Sequence, residues 1–68
     1  MTKESKKLGE NFKKFRIEKG LSQSDVADSL GISRGFISNI ESGKKNPTLI
    51  TLTKLANSVG ISIDKLLK

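Results

Sequence analysis

Residues 21–43, LSQSDVADSLGISRGFISNIESG, hold two short apolar-periodic runs separated only by Gly31-Ile32-Ser33. This joint constrains the fold more than any other feature of the chain. Glycine supplies the left-handed residue at which a helix stops, and serine offers a hydroxyl that caps the next one. Ile32, between them, turns into the core. The first run opens on Ser22-Gln23-Ser24-Asp25. That is a capping box, in which the Ser22 hydroxyl accepts from the Asp25 N–H and the Asp25 carboxylate reaches back. Val26, Ala27 and Leu30 form the inner face of this run. Ile37 and Ile40 do the same for the second, which ends at Gly43. The spacing predicts two helices meeting at a tight corner.

The remaining segments are punctuated in the same way. Leu8, Phe12, Phe15 and Lys19 fall on one face of a helix over residues 5–19, and Gly20 ends it. After Gly43 comes a polar loop, Lys44-Lys45-Asn46-Pro47. Thr48 then caps a fourth helix whose expected buried face is Leu49, Leu52, Leu55, Ala56 and Val59. Val59-Gly60-Ile61-Ser62 echoes Leu30-Gly31-Ile32-Ser33 and leads into a short fifth helix carrying Ile63, Leu66 and Leu67. The one proline lies in a loop, and no stretch alternates with period two. The expected fold is all-α, a compact five-helix domain over residues 1–68. Its second and third helices, about residues 22–42, form a helix-turn-helix unit.

Charge and composition narrow the function. The chain has 68 residues and a net charge of +6, from 13 bases and 7 acids. The excess sits in residues 1–20 and 44–68, whereas residues 21–43 carry Arg34 against Asp25, Asp28 and Glu41. Basic flanks of this kind suit a polyanionic partner. There is no cysteine and no histidine. That removes the usual thiol nucleophiles, the commonest general base and most transition-metal ligands, so neither a metal nor a cofactor is expected. Ser42-Gly43-Lys44-Lys45 matches S-x-x-K only in form, at a helix end of a domain too small for a deep pocket, and no phosphate-cradling glycine motif is present. No apolar stretch approaches the ~18 residues of a membrane span. The expectation is a non-enzymatic, cytoplasmic protein with no evident small-molecule ligand.

The residues around the corner make the reading more specific. Arg16, Gly20-Leu21-Ser22-Gln23, Val26-Ala27, Gly31-Ile32-Ser33-Arg34, Ile37-Ser38-Asn39-Ile40-Glu41-Ser42-Gly43, Asn46-Pro47-Thr48-Leu49, Leu52, Leu55-Ala56 and Val59-Gly60-Ile61 occur at matching spacings. In these the chain resembles the Cro/repressor-type (XRE) family of helix-turn-helix proteins, which includes the lambdoid phage repressors. The resemblance covers roughly residues 8–67. It implies that the helix starting at Ser33 lies in the major groove of double-stranded DNA, with Arg34, Gly35, Ser38 and Asn39 at the base-reading positions. Gln23 would contact a phosphate and brace residue 34. Ser33, Lys44, Lys45 and Asn46 would follow the phosphates, and Arg16 would pair with Glu41 beneath the reading helix.

Side-chain chemistry agrees with these assignments. An arginine fork can bond guanine O6 and N7, and an asparagine amide can bond adenine N6 and N7. Gly35 is costly in a helical turn, which close approach of the backbone to DNA would explain. Phe36 could touch a thymine methyl or simply pack on a neighbouring helix. One such domain reads few base pairs, so a homodimer on a palindromic operator is expected, with Ile50, Ile61, Ile63, Leu66 and Leu67 at the subunit interface. The combined expectation is a transcriptional regulator, with repression as the expected mode. The alternative is a protein-interaction module of the same fold, of antitoxin or co-activator type.

Overall fold

The computed structural model describes residues 3–68, as five helices: α1 (Lys3–Glu18), α2 (Gln23–Leu30), α3 (Arg34–Glu41), α4 (Leu49–Ser58) and α5 (Ile63–Leu67). There is no strand among the described residues. At 8, 8 and 5 residues, α2, α3 and α5 are too short to persist alone, so each depends on the core it covers.

The joints share one chemistry. Gly20, Gly31, Gly43 and Gly60 all have φ between 69° and 79°, the left-handed region that only glycine enters without strain. The residue after each donates its N–H five residues back: Leu21 to Arg16 O, Ile32 to Ala27 O, Lys44 to Asn39 O and Ile61 to Ala56 O. This closes the orphan carbonyls of the preceding helix. After three of the glycines comes an apolar residue (Leu21, Ile32 or Ile61) packed on the core, and then a serine N-cap. The Ser22–Asp25 capping box forms in full. The backbone N–H and the hydroxyl of Ser22 hold the Asp25 carboxyl below its usual range. The fourth joint differs. Gly43 is followed by Lys44 and an exposed polar loop before Thr48 caps α4.

The core is a single cluster centred on Phe12, Ile37, Ile40, Leu55 and Leu66, all fully buried. The buried stripe of α1 is Ser5, Leu8, Gly9, Phe12 and Arg16. Lys19, expected on that face, is exposed, and Arg16 takes the inward position instead. Leu49, expected in the buried face of α4, is 72% exposed. It occupies the first position of α4, before the helix reaches the core at Leu52. Ile50 beside it is 71% exposed.

Where α1 crosses α3, the two backbones touch. A Cβ on Gly9 would lie 2.7 Å from the Glu41 carbonyl oxygen and closer still to that of Ile40. No side chain fits there, and neither obstacle can rotate away. Gly9→Ala is therefore expected to lower stability by about 1–3 kcal/mol through overpacking, even though alanine is the better helix former. A urea melt with an unchanged or raised midpoint would show that α1 and α3 have room to separate.

Candidate nucleic-acid interface

The placement of α3 begins with a charged group removed from water. Arg16 Nε donates to Glu41 Oε2 at 2.6 Å and a terminal nitrogen donates to Oε1 at 3.1 Å, a two-point fork between α1 and α3. The other terminal nitrogen donates to the Leu21 carbonyl at 2.7 Å, tying in the turn that leads to α2. Gln23, in the first turn of α2, donates its side-chain amide to Glu41 Oε1 at 3.1 Å. The two charged side chains are only 11% and 5% exposed. Residues of α1, of the α1–α2 turn with the start of α2, and of α3 thus meet on one carboxylate and one guanidinium.

This geometry corrects one expectation. The amide of Gln23 braces Glu41 at the far end of α3, not residue 34. Its position at the start of α2 still leaves it half-exposed on the side where that helix begins.

The outward face of α3 is left bare. Arg34, Gly35, Ser38 and Asn39 are all exposed. Among the described residues, the side chains of Arg34, Ser38 and Asn39 take part in no hydrogen bond or ion pair. Ser33 caps the helix by accepting from the Phe36 N–H at 3.0 Å, which leaves its own hydroxyl proton available to a further acceptor. A Cβ on Gly35 would meet nothing nearer than Ser33 Oγ at 4.0 Å. The fold therefore does not require a glycine at that position. Phe36 is half-buried at the edge of this face and packs on the core, and the Lys45 ammonium lies 5.1 Å from its ring centroid. Lys44, Lys45 and Asn46 are exposed in the loop that follows, where Asn46 Oδ1 accepts from the Ser5 hydroxyl.

The residues expected at a subunit interface are divided. Leu66 is fully buried within the domain and cannot face a second copy unless the core opens. Ile61 and Ile63 are half-buried against the same core. Ile50 stands exposed beside Leu49 on the first turn of α4. Leu67, 53% exposed, lies in a shallow groove with Lys3, Lys7 and other residues from the start of α1. The sequence pattern passes over Gly9 and places Leu49 in the core, where the structure has it exposed. A glycine within a helix reads as a weak point rather than a crossing point, and a leucine at a helix start reads as core.

A short helix held by buried polar bonds behind a two-helix corner, with its outer face bare, defines a helix-turn-helix domain. The helix-turn-helix family model matches residues 12–66, and the chain belongs to that family, in its Cro/repressor (XRE) branch. It is 53% identical over 61 residues to the prophage-derived HTH-type transcriptional regulator YonR of Bacillus subtilis, covering 90% of this chain and 56% of that one. It is 46% identical over 57 residues to the HTH-type transcriptional regulator y4dJ of Sinorhizobium fredii, covering 84% and 74%. Among solved structures, the restriction-modification controller protein C.AhdI of Aeromonas hydrophila superposes with a TM-score of 0.86 at 32% identity, covering 91% of this chain and 94% of that one. The chain thus spans from about half to three quarters of the length of these curated relatives.

Because the Arg16–Glu41 pair is almost dry, removing one partner strands the other. Glu41→Ala should cost about 3 kcal/mol or more, and Arg16→Met combined with Glu41→Leu should recover much of that deficit. Denaturant melts of the single and double variants check this. A cost within about 0.5 kcal/mol, as at an ordinary surface site, would mean that water already compensates the pair.

Proposed function

We propose that the chain is a transcriptional regulator, a repressor in its simplest mode, that binds double-stranded DNA in the cytoplasm by laying α3 in the major groove. The observation that carries this reading is the unused outer face of α3. The side chains of Arg34, Ser38 and Asn39 there hydrogen-bond to nothing among the described residues, and Gly35 has none, yet the helix behind them is held by a buried fork and a backbone contact. Arg34, in the first turn, offers a planar pair of donors matched to guanine O6 and N7, and Asn39 a donor and acceptor matched to adenine. Gly35 lets the helix backbone come close to the base edges. Ser33, Gln23 and the Lys44–Asn46 loop flank this face and would take the phosphates. Such contacts position a protein without reading sequence. The relatives, named as transcriptional regulators, support the same reading.

Site selection from a random DNA pool tests it. Arg34→Ala should weaken binding to the selected site by about 1–3 kcal/mol and relax preference at one G·C pair per half-site. An unchanged motif would remove α3 from the role of reader. A wild-type chain that retained no DNA even at low salt would point instead to a protein partner for the same face.

We further propose that the chain acts as a homodimer on a palindromic site, its two reading helices about one DNA turn, roughly 34 Å, apart. Leu49 and Ile50 form the most exposed apolar pair of the described residues, with Ile61, Ile63 and Leu67 completing the candidate set without Leu66. An interface this small would be weak in solution and strengthened by DNA. Sedimentation equilibrium on a palindromic duplex should find two chains per duplex, and a complex that stays at one chain would overturn the dimer.

A further inference from the structure

We infer that the first turns of α1 extend the DNA-binding surface, with Lys3 and Lys6 joining Lys44 and Lys45 in one ridge that takes the sugar-phosphate backbone. This inference rests on the DNA-binding reading above. The grounds for it lie in the exceptional joint. After Gly20, Gly31 and Gly60 the chain turns back into the core through an apolar residue, whereas after Gly43 it stays outside through Lys44. A loop with only polar residues from 44 to 46 and no apolar anchor has to be held in another way, and α1 supplies the hold.

The hold is made at two points. Gly43 sits directly on the α1 backbone, since a Cβ there would lie 3.0 Å from Lys6 Cα and 3.3 Å from Lys6 N. Three residues on, Asn46 Oδ1 accepts a hydrogen bond from the hydroxyl of Ser5, the buried neighbour of Lys6. Lys45 is drawn across the Phe36 ring, toward the reading helix. The loop is thus fastened to α1 on one side and to α3 on the other.

The loop adds Lys44 and Lys45 beside Lys6, and the groove at the start of α1 that Lys3 and Lys6 line holds more bases than acids, with Lys7 against Glu4 and Glu10. Lys3, Lys6, Lys44 and Lys45 are exposed, and no ion pair among the described residues engages them. Lys3 and Lys6 are three residues apart and so lie one above the other on α1. The acids near them are Glu4 and Glu10, both exposed, while Glu41 is already committed to Arg16. Exposed lysines on a fixed frame, with no carboxylate engaging their ammonium groups, suit a row of phosphates, which binds by counterion release and without regard to base sequence.

The test compares binding of the full chain to its selected duplex and to an unrelated duplex of equal length, over a salt series from about 50 to about 200 mM. Lys6→Gln, and Lys3→Gln with Lys6→Gln, should weaken binding to both duplexes by the same factor. The slope of log affinity on log salt should become shallower by about 0.9 for each phosphate no longer neutralised. Lys14→Gln is the charge-matched control, because Lys14 lies further along α1 in the groove shared with Lys65 and Lys68 of the α5 end. It should leave the slope as in the wild type. The proposal is overturned if the Lys6→Gln slope equals that of the wild type, or if Lys14→Gln shifts it equally, which would be an effect of net charge alone. Either result leaves the role of Arg34 standing. Failure of the wild type to bind either duplex would instead remove the DNA-binding reading and this ridge together.

Discussion

The polar bonds that tie α3 to α1 and to the start of α2 all meet at the Arg16–Glu41 pair, and the Arg16 guanidinium is at their centre. It forms the two-point fork to Glu41 and, with its third nitrogen, bonds the Leu21 carbonyl, while Gln23 completes the carboxylate from the other side. Taking two charges out of water costs several kcal/mol, and their attraction in a dry site returns about as much. The pair is therefore a poor source of net stability but a strict source of geometry. A hydrophobic contact of the same size could slide or rotate, whereas a planar fork on a planar carboxylate has one register. The apolar core holds the helices together, and the fork sets the angle at which they meet.

Much of this was legible in the sequence because the joints state their own chemistry. Gly followed by an apolar residue and Ser ends one helix and caps another, and the structure shows that arrangement three times, with a glycine stop of the same kind before the basic loop. Periodicity alone is less dependable. Counting from Leu8 places Lys19 on the inner face, but counting from Ser5 through Gly9, Phe12 and Arg16 gives the stripe that is buried. Two small residues lie in that stripe, and a hydrophobicity pattern passes over small residues. Leu49 misleads for the opposite reason, since its side chain is apolar but its place is the first position of a helix that meets the core only at Leu52. Leu66 was legible as apolar, but nothing in a pattern distinguishes a residue that closes its own core from one that faces a partner.

The candidate site was legible by residue type and position, not by mutual placement. That Arg34 and Asn39 are exposed follows from their spacing around Ile37 and Ile40. That Ser5 reaches Asn46, 41 positions away in the chain, follows from no local rule. The same holds for Gln23, whose amide turns inward to Glu41 instead of toward the start of α3. Long polar side chains choose partners by what the fold brings near, and such choices are visible only once the helices have been assembled.

The backbone contact at Gly9 has a mechanical consequence. It grips α3 at Ile40 and Glu41, the last turn, while Arg34 is at the first. With a rise of about 1.5 Å per residue, these ends are roughly 10 Å apart, so the clamp from α1 acts on the last turn of α3 while the corner with α2 holds the first, from which the proposed function has Arg34 act. A tilt of about 5° at the clamp displaces the tip by nearly 1 Å over that length, comparable to the slack a two-point hydrogen bond tolerates. Angular tolerance at the clamp would therefore limit how accurately Arg34 meets a base in the proposed complex. A glycine against carbonyl oxygens leaves that clamp with no side chain that could change rotamer between them.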